Sequence, residues 1–307
     1  MNLSSDAGTG HVPVLLKEAM GFLAPASGGV YCDATVGLGG HAAAILEQSS
    51  PGGRLVGVDR DAGALRLASG RLGRFGERVL LVHARFGSIR TVLEKAGGVP
   101  VDGCLVDLGL SSMQLDSPER GFSFRHNGPL DMRMDQSQGE TAAELLRRVG
   151  VTELESILRD LGEERYARRI AAAIVAERGR EALGTTSALA ALVARVVPSR
   201  ERSKDPATRS FQALRIALND ELGEIERFLA DVPGCLRPGG RLVIISFQSL
   251  EDRIVKRRLR ELASGEGRDG PRLRLLTKHV VVASHEERRR NPRSRSAKLR
   301  AAERLPS

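Results

Sequence analysis

Three acids stand at the ends of apolar, β-branched runs: Asp33 closes "VYCD", Asp59 closes "LVGVD" and Asp107 closes "GCLVD". A glycine cluster, Gly37, Gly39 and Gly40, follows the first acid and leads into the small helix formers of "GGHAAAIL". A strand that turns through glycines into a helix lets a ligand approach the backbone and meet the N–H groups of the helix start. The spacing Gly37-x-Gly39-x-x-Ala42 fits the dinucleotide fingerprint and equally the looser glycine loop of S-adenosylmethionine (SAM) enzymes. Asp59, 22 residues beyond Gly37, is placed to accept hydrogen bonds from a ribose, which both ligands carry. Two features lean toward SAM. A sulfonium cation favours acids such as Asp33 and Asp107 beside it, and "CLRPGGRLVIISF" is the turn and strand that commonly follow a methyl-transfer site.

The elements that must position these residues alternate. "GGVYCDA", "GRLVGVD", "RVLLVHA" and "VDGCLVDLG" read as strands, with "GHAAAILEQSS" and "DAGALRLASGRLGRF" as helices between them. Such β-α-β-α order implies a parallel sheet covered on both faces, with right-handed crossovers bringing the three acids to one edge. After Leu110 the alternation stops until "GGRLVIISF", near Gly239. The intervening chain from about 140 to 198 is rich in alanine, leucine and arginine. Leu154, Ile157, Leu158 and Leu161 keep helical spacing, Thr152 with Glu155 has the spacing of a capping box, and Pro198 marks a stop. The pattern predicts an α/β, Rossmann-like sheet domain in two parts, 1–115 and 211–307, with a small helical domain, 116–210, inserted. "FQALRIALNDELGEIERFLADV" reads as one helix returning to the sheet and "LLTKHVVVAS" as a late strand. The last stretch holds seven bases and two acids between Glu286 and Arg300 and reads as a charged surface segment.

A net charge of +9 points to an acidic partner without choosing among RNA, DNA and membrane surfaces. No apolar run reaches the length of a membrane span, and Lys17 and Glu18 break the only apolar stretch near the start, so a cytoplasmic location is expected. Cys32, Cys104 and Cys235 are scattered without a paired motif, so buried reduced thiols are expected and no metal site.

The segments "HVPVLLKEAM", "DATVGLGGHAAAIL", "GVDRD", "DLGLSSMQLDSPERGFSFRHNGPLDMRMD", "PATRSFQALRIALNDEL", "LRPGGRLVIISFQSLEDRIVK" and "NPRSRSAKLR" run in order through nearly the whole chain. With them the chain resembles the bacterial 16S ribosomal RNA (cytosine-N4)-methyltransferase family, known as RsmH or MraW. The resemblance implies a class I SAM-dependent methyltransferase fold and SAM contacts at Gly39, Gly40, His41, Asp59, Phe86, Asp107 and Gln114. It implies methyl transfer to the exocyclic N4 of a cytidine in the decoding (P-site) region of 16S rRNA. The small ribosomal subunit is then the partner, with neither DNA nor membrane involved.

Each implied residue also has a physical reading. His41 lies in the first turn of its helix, where the dipole favours a neutral imidazole. Phe86 can stack on adenine and Gln114 can donate and accept together. Asp107 stands where amino-methyltransferases place the polar residue of a DPPY-type loop. Here the loop reads "DLGLSS" without an aromatic clamp, so Phe122 or Phe124 in "RGFSFRHNG" is expected to stack the flipped base. Arg125, His126 and Arg133 mix cations with these aromatics, as single-strand readers do, while Asp131 and Asp135 disfavour phosphate there. Arg288 to Arg290, Arg293, Arg295 and Lys298 suit phosphate contacts. Where the family reads Ser-Phe-His-Ser-Leu-Glu-Asp-Arg this chain has "SFQSLEDR", so Gln248, which cannot take a proton near neutral pH, is expected to position the base. Met113 replaces the usual proline and Asn127 a frequent aspartate, both bearing on loop rigidity. The competing readings are a SAM enzyme with another acceptor, an NAD(P)-dependent oxidoreductase using the same glycine loop, and a non-catalytic rRNA-binding assembly factor.

Overall fold

The computed structural model describes residues 12–179, 183–198, 205–265 and 270–306. His11 of "HVPVLLKEAM" and Ser199 beyond Pro198 lie outside the described residues. In chain order the elements are α1 (Leu16–Leu23), β1 (Val30–Asp33), α2 (Gly40–Gln48), β2 (Arg54–Asp59), α3 (Ala62–Leu72), β3 (Val79–His83), α4 (Ile89–Lys95) and β4 (Val101–Asp107). Then follow α5 (Ser112–Asp116), α6 (Ala142–Arg148), α7 (Val151–Ser156), α8 (Ala167–Glu177), α9 (Thr186–Val196) and α10 (Thr208–Asn219). The chain returns through α11 (Glu221–Cys235), β5 (Leu236–Ser246), α12 (Ser249–Ser264), β6 (Leu273–Leu275), β7 (Val281–Val282), α13 (His285–Arg290) and β8 (Lys298–Arg304). Two compact units result, one of residues 1–109 with 223–307 and one of 110–222.

The first unit is built on a sheet ordered β3-β2-β1-β4-β5-β8-β6, with β7 pairing β8. β3, β2, β1, β4 and β5 are parallel, and β8 enters antiparallel to β5. Strands buried on both faces need near-continuous apolar sequence, which Val101, Cys104, Leu105 and Val106 of β4 and Leu242 to Ile245 of β5 supply. Parallel pairing of β2, β1 and β4 puts Asp59, Asp33 and Asp107 at their carboxyl ends, the edge at which open α/β sheets bind ligands. Cys32 and Cys104 face each other across β1 and β4, and all three cysteines are buried and free, as expected. One face of the sheet packs on a core that includes Leu15, Leu23, Ile45, Leu46, Leu72 and Leu299.

The second unit has its own core around Leu130, Met132, Leu154, Ile170, Leu189 and Phe211. Leu154 and Leu158 are buried in it, with Ile157 and Leu161 packed against them, in the expected period; the last of these turns is a π turn, Ile157–Leu161. The capping box lies one helix earlier than expected. Thr141 Oγ1 accepts the Glu144 N–H at 3.2 Å while Glu144 accepts the Thr141 N–H at 2.7 Å. Thr152 already sits inside α7, whose N-cap is Gly150.

Several further expectations take a more definite form. The returning helix is two helices: Asp220 adopts a left-handed conformation, φ 49°, which ends α10 before α11 begins. The turn expected in "CLRPGG" is a bulge at the start of β5: Leu236 pairs with Val101 and Arg241 with Gly103, and Gly239 between them stands at φ +79°. The late strand is two short strands, β6 and β7, and the charged surface segment at the basic end is ordered into regular elements. It forms α13, a 3₁₀ turn at Pro292–Ser296, and β8, which pairs with β5 on one side and with β6 and β7 on the other.

Candidate active site

The acid edge of the first unit is assembled by backbone hydrogen bonds that the strand ends leave open. Asp33 is 1% exposed and accepts the Thr35 N–H at 3.2 Å. Burial raises its carboxyl to about 7, against the pull of the Thr35 N–H bond, and the charge of Asp59 raises it further. Asp59 accepts the Gly37 N–H at 2.8 Å and the Asp61 N–H at 2.9 Å, one on each oxygen. Burial raises its pKa too, in spite of those two bonds. A carboxylate has about four lone-pair sites, so two remain for a ribose. Asp107 is fixed by its own N–H, which Thr35 Oγ1 accepts at 2.7 Å. Its Oδ1 is enclosed without a hydrogen-bond partner. Burial, then the charges of Asp33 and Glu251, push the Asp107 carboxyl well above the usual range.

His41 is 6% exposed, and its Nε2 donates to the Val14 carbonyl at 3.0 Å, so that nitrogen carries a proton. Its Nδ1 then faces Asp107 Oδ2 at 3.8 Å. One proton resident on either partner turns that approach from lone-pair repulsion into attraction. The segment carrying Val14 is held from the far end of the chain: Glu287 accepts the Leu15 N–H at 2.7 Å and Asn291 donates to the Val12 carbonyl at 3.0 Å. Gly39, at φ +78°, caps α2 in the left-handed conformation. Gly40 is glycine for packing, because a Cβ there would come within 2.4 Å of Pro13 Cγ.

On the far sides of this edge stand Phe86 and Gln248. Phe86 follows β3 and lies edge-to-face on Phe228, ring centres 5.7 Å apart. Its backbone is steadied by Glu224, 2% exposed, which accepts the Gly87 N–H at 2.9 Å and pairs with Arg227. Gln248 follows β5 as the N-cap of α12, and its enclosed Oε1 lies in a capping box with Glu251. Glu251 accepts the N–H groups of Phe247 and Gln248 at 2.8 and 3.0 Å. Thr35, Val14, Glu224 and Glu251 carry no reading in the sequence, although Glu251 three residues after Gln248 has a capping spacing.

Of the other expected site residues, Gln114, Phe122, Phe124, Arg125, His126 and Arg133 belong to the second unit and Arg293 and Arg295 to the first. Gln114 forms a capping box with Ser111, accepting the Ser111 N–H at 3.0 Å, and is 5% exposed. Phe122 is 7% exposed within the helical core, with the Arg120 guanidinium over its ring. Phe122 therefore offers less of its ring to a base than the partly buried Phe124. Phe124 is only partly buried and meets Phe211 edge-to-face at 4.8 Å. Arg133 is bound twice to Asp131, at 2.9 Å through both Nε and Nη2. Burial alone would raise the Asp131 carboxyl, but these bonds hold it low. Arg133 is therefore neutralised within the loop rather than presented to phosphate. Arg125 and His126 are exposed. Asn127 accepts from Ser187 Oγ at 2.6 Å, and Gly128 and Thr186 exchange N–H bonds, so the loop is stitched to α9. Arg288 to Arg290 lie on α13, Arg293 and Arg295 on the 3₁₀ turn, and Lys298 begins β8.

A deeply buried carboxyl cluster with one enclosed, unpartnered oxygen, beside a glycine-capped helix start, suits a ligand carrying both an anion and a cation. The α2 N-terminus takes the carboxylate, Asp107 the positive centre and Asp59 the ribose, so the residues present fit SAM. A family model described as the MraW methylase family matches residues 8–305. The chain is 49% identical to the ribosomal RNA small subunit methyltransferase H of Nitratidesulfovibrio vulgaris, covering 99% of this chain and 98% of that one. The enzyme of that name from Sorangium cellulosum is 52% identical, over 97% of this chain and 92% of its own. Among solved structures, a SAM-dependent O-methyltransferase from Thermotoga maritima overlaps at TM-score 0.43 and 11% identity, over 97% of this chain and 68% of that one.

Proposed function

Since the chain belongs to the MraW methylase family, we propose that it methylates the exocyclic N4 of a cytidine in the decoding region of 16S rRNA. It is a SAM-dependent methyltransferase of small-subunit ribosomal RNA. The cytoplasm, where small-subunit RNA is modified, is the expected place of action. The observation that carries the finer reading is the enclosed, unpartnered Oδ1 of Asp107 at the sheet edge.

Bound SAM supplies a methyl group made electrophilic by its sulfonium. The cytosine amino nitrogen is a poor nucleophile because its lone pair is delocalised into the ring. Asp107 Oδ1 accepts an amino hydrogen, which draws that lone pair out of conjugation and aims it. The second amino hydrogen meets Gln248 Oε1, the other enclosed acceptor, so Gln248 orients the base and takes up no proton. Positive charge at the site favours ionised Asp107 and Asp33, against the burial that raises both carboxyls in the ligand-free protein. As the N–CH3 bond forms, the surplus amino proton leaves to Asp107 or to water. Gly39, Gly40, His41, Asp59, Phe86 and Gln114 belong to the cofactor in this reading. Phe124 is the ring for the base, with Arg125, His126, Arg293 and Arg295 on the surrounding RNA.

The test is methyl transfer from labelled SAM to small subunits from cells lacking this modification, followed by nucleoside analysis. Label in N4-methylated cytidine is expected. Tight SAM binding without transfer, restored by Gln248→His, would overturn the role given to Gln248. Label in any other nucleoside would overturn the acceptor.

A further inference from the structure

Away from the acid edge, the first unit carries a cleft of about 240 Å³ between α12 and the β6–β7 link. Its walls include Lys256, Arg260, Lys278, His279 and Arg300, and Leu259 lies at its floor. Arg300 is neutralised and fixed by Asp252, at 2.7 Å to Oδ1 and 3.1 Å to Oδ2. Lys256, Arg260 and Lys278 are exposed and have no acid within ion-pair distance among the described residues. Their neighbours on α12 differ: Arg257 pairs with Glu226 and Glu261, and Arg258 pairs with Glu261.

Lys256 and Arg260 stand four residues apart on one helix face, where like charges repel, and Lys278 adds a third charge from the opposite wall. Thr277 holds that wall in place, exchanging hydrogen bonds with Ala301 of β8 at 3.1 and 3.4 Å. Like charges gathered round one concavity focus a positive potential there. The cleft is tied to the acid edge by a rigid element. α12 starts next to Gln248, and a rise of ~1.5 Å per residue puts Lys256 roughly 12 Å and Arg260 roughly 18 Å along it.

We infer that this cleft binds the phosphates of the RNA strand at a fixed distance from the target nucleotide. The inference rests on the reading of RNA as substrate. These three cations, without ion pairs among the described residues, neutralise consecutive phosphates, while Arg300 and its Asp252 partner keep the β8 wall in register.

The experiment compares the intact protein with a Lys256→Gln, Arg260→Gln, Lys278→Gln variant. Three readouts are taken: binding of unmodified small subunits and of protein-free 16S rRNA at several salt concentrations, methyl transfer, and SAM affinity. Each lost phosphate contact lowers the slope of log affinity against log salt by ~0.7 on single strands, so a fall of about 2 is expected. KM for RNA should rise at least tenfold, with kcat within twofold of the parent and SAM affinity unchanged. Unchanged slope and KM with intact SAM binding would overturn the inference. So would an effect on subunits that is absent on protein-free RNA, since the cleft would then meet a ribosomal protein. Should the triple variant lose SAM binding, Lys278→Gln alone, on the link, is read in the same way with a slope change of about 0.7. Failure of the parent protein to methylate RNA at all would count against the reading of function, while the salt slope still decides the cleft.

Discussion

Asp33, Asp59 and Asp107 all hold protons more tightly in the folded chain than in the unfolded one, because burial penalises their charge. A raised folded pKa means that the folded state binds more protons between the unfolded value near 4 and the folded value. Stability therefore falls as pH rises through that window. For Asp33 the window runs from about 4 to about 7. Melting of the ligand-free protein should show a Tm that declines from pH 5 to pH 7, with Asp33→Asn flattening the decline. A Tm that climbs over this range would contradict the burial argument. A cationic ligand has the opposite preference, so SAM affinity should strengthen over the same range with release of protons, measurable by calorimetry in buffers of different ionisation enthalpy. Asp107→Asn should weaken SAM binding and lower kcat at least a hundredfold, as loss of one preorganised polar group does elsewhere. These acids were legible in the sequence because each ends an apolar strand. The enclosed oxygens of Asp107 and Gln248 were not, since enclosure is made by residues distant in the chain. Nor was the fate of Phe122, whose ring is core in a unit that the aromatic spacing does not describe.

The helices and strands that carry these residues depend on a few buried polar ties. Asn219, 6% exposed at the end of α10, accepts the Met134 N–H at 2.8 Å and donates to the carbonyls of Met132 and Arg215 at 2.8 and 2.9 Å. Asn219→Ala leaves those groups buried and unpaired and should cost about 1–3 kcal/mol. A lower urea midpoint at constant m-value would register it. A similar tie links α13 to the site: Glu287 and Asn291 hold residues 12–15, and Val14 holds the His41 ring. Glu287→Gln with Asn291→Ala should therefore weaken SAM binding several-fold while leaving helix content unchanged by circular dichroism. If SAM affinity does not move, the ring is held by α2 alone. The alternating strands and the helical stretch were legible from periodicity. β8 was not, because Lys298, Arg300 and Glu303 mask its alternation with buried Leu299, Ala301 and Ala302. Those charges are matched across the fold, Arg300 by Asp252 and Glu303 by Arg274 and Arg241, which is how a basic run lies inside a sheet.

Across the molecule, the net charge of +9 is not spread as a featureless coat but gathers on α12, on the β6–β7 link and on the chain's last segment. Its order in the chain also matters. β8 lies between β5 and the β6–β7 pair, so the sheet closes only when residues 298–304 arrive. A chain truncated after Ala297 should lack SAM binding and should exchange its β5 amides freely with deuterium. Protected β5 amides in that truncation would show that the parallel strands stand without β8. Translation delivers residues in order, so the tether on Val12 and Leu15 and the strand β8 arrive only after β1 to β5 have been made. A nascent copy with β1 to β5 already outside the ribosome still has an open sheet and an unheld His41. A chain caught at that stage should bind SAM more weakly than one in which α13 and β8 are in place.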